Sequence, residues 1–279
     1  MTPSAVPQPL RDTFVAWTDA GRPDDAPTRW SRHHWGKDLV PAGLEDTPLT
    51  RAALVERAKR VTADDRDAQR DAFLAAMIWG YGTVGYGPSR VRTMLAEDGF
   101  ADQLAELTHV TLEQGGPAAF AHVREARKAG HECLKGLGGA FGTKYIYALT
   151  KAHPERGVAP VLDSVVRAWF VEHVPDVDVR IGDGWTYPHR YGAYVETLQA
   201  WGEDLGIPAD DVERLIFLQR EGQTGGTWQE EWLSATPAPG AADLLRMLGD
   251  QLEARGVGAE AAPHLVALAE LAAAEDDIS

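Results

Sequence analysis

The segment GLGGAFGTKYIYAL, Gly136–Leu149, decides between the folds open to this chain. Four glycines stand within its first seven residues, and a lysine and a run of apolar and aromatic residues follow. A Walker phosphate loop needs the pattern G-x-x-x-x-G-K-[ST] after a buried strand. Here Gly138 and Gly142 stand one residue too close together, and Thr143 precedes Lys144. The preceding AHVREARKAGHECLK has a helical pattern, which also excludes a Rossmann fingerprint.

A hairpin between two helices fits the same segment. One helix is predicted to end near Lys135 and a second to begin near Gly142 or Thr143, because the intervening glycines allow positive φ angles. The first N–H groups of the second helix then have no intrahelical partner, which is the geometry that holds a phosphate of a DNA strand. The predicted residues of this backbone-binding hairpin are Gly136, Leu137, Gly138, Gly139, Gly142 and Thr143.

Two residues near this hairpin are candidates for catalysis. Lys144 is predicted to lie in the first turn of the second helix, where the helix dipole and apolar neighbours disfavour an ammonium. A neutral amine can attack an electrophilic carbon and form a Schiff base. Asp163, in APVLDSVVRAWF, is predicted to be the N-cap of a later helix, so its carboxylate can activate a nucleophile or stabilise positive charge on a sugar. Taken separately, an exposed lysine and a simple cap are the alternatives.

The rest of the chain has mainly helical periodicity, and we expect an all-α fold. Residues 1–48 are rich in proline and are predicted to form an irregular N-terminal arm, followed by a core at residues 49–235. The breaker TPAPG then separates a predicted acidic helical hairpin at residues 236–279, packed on the core. Helices are predicted at residues 50–60, 64–79, 117–129, 163–173, 191–205 and 208–220.

The composition excludes several classes of protein. A single cysteine, Cys133, allows no internal disulfide, multi-cysteine zinc site or Fe–S quartet. No apolar run is long enough to cross a bilayer and no signal-peptide pattern is present, so we expect a cytoplasmic protein, nucleoid-associated when acting. The net charge of −15 argues against a general nucleic-acid binder. Residues 205–279 hold 14 acidic and 4 basic residues, however, which leaves room for a local anion-binding face elsewhere.

These motifs together resemble the helix–hairpin–helix base-excision DNA glycosylases over about residues 70–222, most of all the 8-oxoguanine DNA glycosylase branch and its bacterial OGG-fold relatives. The resemblance rests on GTK after a glycine-rich hairpin, on the proline and aspartate before the next helix, and on IWGYGTVGYGPSRVRTML at residues 78–95. It implies that Lys144 attacks C1′ of a flipped nucleotide and that Asp163 assists. Two features depart from the family: the hairpin is longer than LPGVG, and one extra residue separates Pro160 from Asp163.

The resemblance also implies a monomer, without metal or cofactor, that excises a base from DNA and has lyase activity. A glycosylase extrudes its target base and holds it by stacking. The default substrate is 8-oxoguanine. A hypermodified phage base excised in defence, and a non-catalytic helical module that binds DNA or protein, are the alternatives. Residues predicted to line the base pocket or contact DNA are Trp79, Tyr81, Tyr86, Arg90, Arg92 and Tyr147, with a buried aromatic core and two exposed arginines as the alternative.

Overall fold

The computed structural model describes residues 5–181 and 185–219. In these two ranges the regular structure is helical, apart from one isolated antiparallel bridge between Thr28 and Leu49, which confirms the all-α prediction. None of the described helices is long and apolar enough to cross a membrane. The predicted helical hairpin at residues 236–279 lies outside the described residues. The helices are α1 (Gln8–Asp19), α2 (Arg32–Trp35), α3 (Arg51–Ala58), α4 (Arg66–Tyr81), α5 (Gly87–Leu95), α6 (Phe100–Gln114), α7 (Gly116–Lys128), α8 (Gly139–Ala152), α9 (Ser164–His173), α10 (Pro188–Leu205) and α11 (Ala209–Leu218), with a 3₁₀ turn at Pro154–Arg156.

Helix α8 lies at the centre of the described domain, because α3, α4, α6 and α7 all pack against it. Its residues from Gly142 to Thr150 are all buried, as expected for a helix that is surrounded by other elements. Polar groups inside the helix therefore have protein partners. The Tyr145 hydroxyl lies 2.8 Å from the hydroxyl of Thr108, for example. This placement brings Lys144 into the interior of the domain.

Local capping signals explain several of the helix starts. The Thr50 side chain accepts a hydrogen bond from the N–H of Ala53 at 3.0 Å, and Asp65 does the same for Ala68 at 2.9 Å. A cap of this kind contributes about 1 kcal/mol. The predicted starts of α3 and α4 are therefore confirmed to within a few residues.

The N-terminal arm is more regular than predicted. Residues 8–19 form α1, with proline in the first turn, where its missing N–H costs no hydrogen bond. Leu10 and Trp17 of this helix are buried, and the Trp17 indole donates to the carbonyl oxygen of Pro23 at 3.0 Å. The prolines predicted an irregular arm, whereas residues 8–19 are helical and pack on the domain through these apolar side chains.

The predicted boundaries around the hairpin are also wrong. Helix α7 ends at Lys128, which confirms the helix predicted at residues 117–129 and not an end near Lys135, and α8 begins at Gly139 rather than at Gly142 or Thr143. Glycine suits this helix start because neighbouring side chains leave little room for a larger residue. A Cβ on Gly139 would lie 3.1 Å from Ile181 Cδ1. Lys144 is consequently the sixth residue of α8, in its second turn, and not in the first turn as predicted.

Candidate active site

Lys144 and Asp163 form an ion pair inside the domain. Lys144 Nζ lies 2.9 Å from Asp163 Oδ2, and the whole lysine residue is only 8% exposed. The other carboxylate oxygen, Oδ1, accepts hydrogen bonds from the N–H groups of Val165 at 3.0 Å and Val166 at 3.2 Å. One oxygen thus caps α9, as predicted, while the second holds the lysine. The extra residue before Asp163 does not prevent this contact.

The surroundings keep Asp163 ionised. Burial alone would raise the pKa of Asp163, but the charge and hydrogen bond of Lys144 and the two N–H donors of α9 outweigh burial. The net result is a pKa below the usual value of 3.8. Among the described residues no group of three or more His, Cys, Asp or Glu side chains is arranged to hold a metal ion. Lys144 and Asp163 bring an amine and a carboxylate into contact at this site.

The segment before Asp163 is held by hydroxyl groups on two helices. On α8, the Thr143 hydroxyl oxygen accepts from the N–H of Leu162 at 3.2 Å, and Thr150 accepts from that of Ala159 at 3.0 Å. On α10, Tyr191 donates to the Pro160 carbonyl oxygen and Tyr194 to the Val161 carbonyl oxygen. These bonds anchor the backbone that carries the carboxylate, and the sequence predicted none of them.

Trp79, one of the predicted pocket residues, lies beside the lysine, and Tyr147 packs against Trp79. Lys144 Nζ lies 5.3 Å from the centre of the Trp79 ring, and this ring stacks on Tyr147 with 6.3 Å between ring centres. Trp79 keeps part of its surface, whereas Tyr147 is buried. Gly80 allows this approach, since a Cβ there would lie 2.8 Å from Lys144 Cδ.

Arg51 belongs to the same cluster, although its sequence context did not indicate it. Its guanidinium carbon lies 5.1 Å from the Trp79 ring centre and 5.2 Å from that of Tyr147. Two carboxylates hold it, Glu213 at 2.6 Å and Asp25 at 2.8 Å. Because these partners come from distant parts of the chain, only the tertiary structure brings them to Arg51.

A row of aromatic rings leads from the start of α8 to the surface. Tyr81 is buried and stacks on Phe141 with 3.8 Å between ring centres. Tyr86 is 53% exposed and packs edge-on against Tyr81, with the guanidinium of Arg90 over its ring at 5.5 Å. Tyr86 and Arg90 are therefore the surface end of this row.

Arg92, the remaining predicted contact residue, is engaged elsewhere. Its guanidinium donates to both carboxylate oxygens of Asp38, at 2.7 and 3.0 Å, and to the carbonyl oxygen of Trp35 at 2.7 Å. These bonds tie α5 to the turn after α2. The structure gives Arg92 a bracing role and does not bring it to the lysine.

The glycines of the hairpin have different positions from those predicted. Gly136 is exposed with a φ of +82°, and Gly138 is the N-cap of α8, which no side chain caps. Gly142 instead packs under Trp185, whose ring carbons lie 2.1 Å from a Cβ placed on this glycine. The Trp185 indole also donates to the carbonyl oxygen of Leu137 at 2.8 Å. Gly142 and Thr143 are thus buried residues within α8, and the N–H of Gly142 donates to the carbonyl oxygen of Gly138 at 2.9 Å.

Comparison with models of protein families matches residues 19–217 to the family described as "Putative 8-oxoguanine DNA glycosylase OGG-like protein". The matched range contains the hairpin, the Lys144–Asp163 pair and the aromatic row. No curated protein and no solved structure matches the chain. The family match covers well over half of the sequence, and the chain belongs to this OGG-like family.

Proposed function

We propose that this protein is a DNA glycosylase that excises a damaged base, 8-oxoguanine by default, with Lys144 as nucleophile and Asp163 as its partner. Membership of the OGG-like family supports the class of enzyme. The observation that carries the residue assignment is the contact of 2.9 Å between Lys144 Nζ and Asp163 Oδ2 inside the domain. A buried amine in contact with a carboxylate can pass a proton to it and then attack a carbon atom away from bulk water.

The first chemical step is attack of the Lys144 amine on C1′ of the flipped nucleotide. The N–C1′ bond forms as the glycosidic bond breaks, and the base leaves with the bonding electrons and takes up a proton. Loss of a proton from the lysine nitrogen and opening of the C1′–O4′ bond then give a Schiff base, with a proton added to O4′. Removal of a C2′ proton breaks the bond from C3′ to its phosphate oxygen, which is the lyase step.

Asp163 has two roles available in this sequence. In the free protein its carboxylate holds the lysine, and it is the acceptor at hydrogen-bond distance when the amine must lose a proton to attack. The same negative charge stabilises the positive charge that develops on the sugar as the base departs. Because Asp163 Oδ1 is held by two N–H groups of α9, the carboxylate keeps its orientation through both roles.

DNA would be held on either side of this pair. The uncapped start of α8, next to Gly136 and Gly138, offers N–H groups to a phosphate. Tyr86 and Arg90 offer an exposed ring and a cation to the strand, and Trp79 offers a ring beside the lysine for the flipped base. Residues 78–93 hold two arginines and no acidic residue, which supports local DNA binding despite the net charge of −15.

Borohydride trapping on abasic and lesion-bearing oligonucleotides tests the nucleophile. Lys144→Gln should abolish the covalent adduct and base release while leaving DNA affinity unchanged. Lys151→Gln is the matched control, because Lys151 stands on the same helix and also pairs with an aspartate, Asp210, at 2.8 Å. Base release by Lys144→Gln, or loss of the adduct in Lys151→Gln alone, contradicts the assignment.

The substrate is tested separately by mass spectrometry of bases released from a panel of modified oligonucleotides. We expect release of 8-oxoguanine and retention of the four normal bases. Release of a hypermodified phage-type base, with 8-oxoguanine left in place, would favour a role in defence. Salt-dependent DNA binding without release of any base would favour the non-catalytic module.

A further inference from the structure

Arg127 in the last turn of α7 binds three carbonyl oxygens of the hairpin. Its Nε donates to Cys133 at 2.8 Å, and its Nη2 donates to Leu134 at 2.8 Å and to Leu137 at 3.0 Å. All three acceptors lie in the ten residues between α7 and α8. One partly buried arginine thus binds three carbonyl oxygens of this loop.

The hairpin needs such a partner because its backbone is strained. Three carbonyl dipoles converge on one place and would repel each other without a cation between them. Leu134 has a φ of +49°, a left-handed conformation that costs a non-glycine residue about 1–2 kcal/mol. Its N–H is held by the Gln103 side-chain oxygen at 2.6 Å. Strain of this kind persists only where the surroundings over-determine it.

We infer that Arg127 is a positioning residue for DNA binding: it acts as a built-in cation that holds the hairpin in the shape that offers the start of α8 to a phosphate. This inference rests on the proposed function. The carbonyl oxygens of the hairpin accept hydrogen bonds from Arg127. They therefore point toward the protein and away from an approaching anion. The guanidinium also places a positive charge behind the loop, where it adds to the potential at the helix start.

The hairpin has a second anchor besides Arg127, so loss of Arg127 should change the shape of the loop without unfolding the domain. Trp185 binds the Leu137 carbonyl oxygen from the other direction, and Leu137 itself is buried. Loss of Arg127 should therefore loosen residues 131–138 while the buried α8 stays in place. Lys144 and Asp163, which lie within α8 and at the start of α9, should keep their contact.

The test measures DNA affinity and single-turnover base release for Arg127→Met. We expect the dissociation constant for duplex DNA to rise about tenfold or more, because three charge-assisted hydrogen bonds are lost. The rate at saturating DNA should stay within about twofold of wild type, since the reacting groups are untouched. Lys128→Met is the matched control: it removes the same charge one residue away, but Lys128 is 66% exposed and pairs only loosely with Glu125, at 3.8 Å.

Chemical rescue distinguishes a positioning role from a general loss of stability. At the same low ionic strength, guanidinium chloride should weaken DNA binding by Arg127→Met less than sodium chloride does, because the guanidinium ion can replace the lost side chain, whereas the two salts should act alike on Lys128→Met. Arg127→Lys keeps the charge but cannot reach three carbonyls with a planar fork, so an intermediate affinity is expected. If the methionine variant does not fold, the lysine variant carries the comparison.

Each result decides one question. Equal dissociation constants for wild type, Arg127→Met and Arg127→Lys overturn the inference, as does an identical response of Arg127→Met to the two salts. Wild-type protein that fails to bind or cleave any DNA overturns the proposed function instead.

Discussion

Replacing Gly80 with alanine places a methyl group against the side chain of Lys144. A Cβ at this position lies 2.8 Å from Lys144 Cδ, 3.1 Å from Lys144 Cε and 2.8 Å from Phe141 Cε1. Non-bonded carbon atoms prefer a separation of about 3.5–4.0 Å, so the lysine side chain must move by about 0.7–1.2 Å. Such a displacement takes Nζ away from its contact of 2.9 Å with Asp163 Oδ2.

The same substitution should change the free energy of unfolding very little. Gly80 lies in the last turn of α4, where alanine is favoured over glycine by about 0.5–1 kcal/mol. The overlap with a flexible side chain and with the edge of Phe141 costs about 1–3 kcal/mol before relaxation. Because the lysine can yield, we expect a net change within about 1 kcal/mol, measured by urea denaturation.

Catalysis should respond much more strongly. A displacement of about 1 Å at a reacting group can lower the rate about 100-fold. The single-turnover rate at which the borohydride-trapped adduct forms should therefore fall by about that factor. Gly192→Ala is the control, since Gly192 lies inside α10 and a Cβ there meets nothing within 4 Å. A Gly80→Ala protein that forms the adduct at the wild-type rate would refute the inference that this glycine places the nucleophile.

Three further predictions concern the packing, the ion pair and the DNA-binding surface. In Gly142→Ala the new Cβ lies 2.1 Å from buried ring carbons of Trp185, so the unfolding free energy should fall by about 3 kcal/mol in urea denaturation; an unchanged value contradicts this packing. Because the folded-state pKa of Asp163 is lowered from 3.8, its stabilising contribution is present above that value and is lost as pH falls through the lower folded pKa. Unfolding free energies measured between pH 6 and about pH 2 should therefore fall more steeply for wild type than for Asp163→Asn, and parallel curves would count against the shift. Tyr86→Ala should weaken DNA binding by about 1–3 kcal/mol in fluorescence titration with little change in melting temperature, because an exposed ring is lost; unaltered affinity would exclude this ring from the interface.

Local features of the sequence were sufficient for the fold class and for the two candidate catalytic residues. The N-cap role of Asp163 depends on the residues next to it, and the structure has that cap. The glycine-rich segment correctly predicted a turn before α8, but not the residue at which the helix begins. Glycine at a helix start is tolerated or excluded by what packs against it, and at Gly139 the neighbours are Ile181 and Phe120.

Residues that act through distant partners escaped sequence analysis. Arg51 was not singled out, since its carboxylate partner Glu213 stands 162 positions away. Arg92 was predicted as a pocket or DNA contact because it follows the aromatic segment, and only the structure shows that its side chain binds Asp38. Trp185 donates to the Leu137 carbonyl oxygen of the hairpin, a contact that its sequence context did not indicate.

By itself the sequence predicted that the described part of the chain is helical and where most of its helices lie, and it indicated Lys144 and Asp163 as a candidate pair. Periodicity, caps and motif spacing are properties of neighbouring residues, so they can be recognised without the three-dimensional structure. Only the tertiary structure decided that Lys144 lies in the second turn of a buried helix, 2.9 Å from Asp163. Burial and ion pairing depend on contacts between elements that are distant in sequence, and the pattern of neighbouring residues does not specify those contacts.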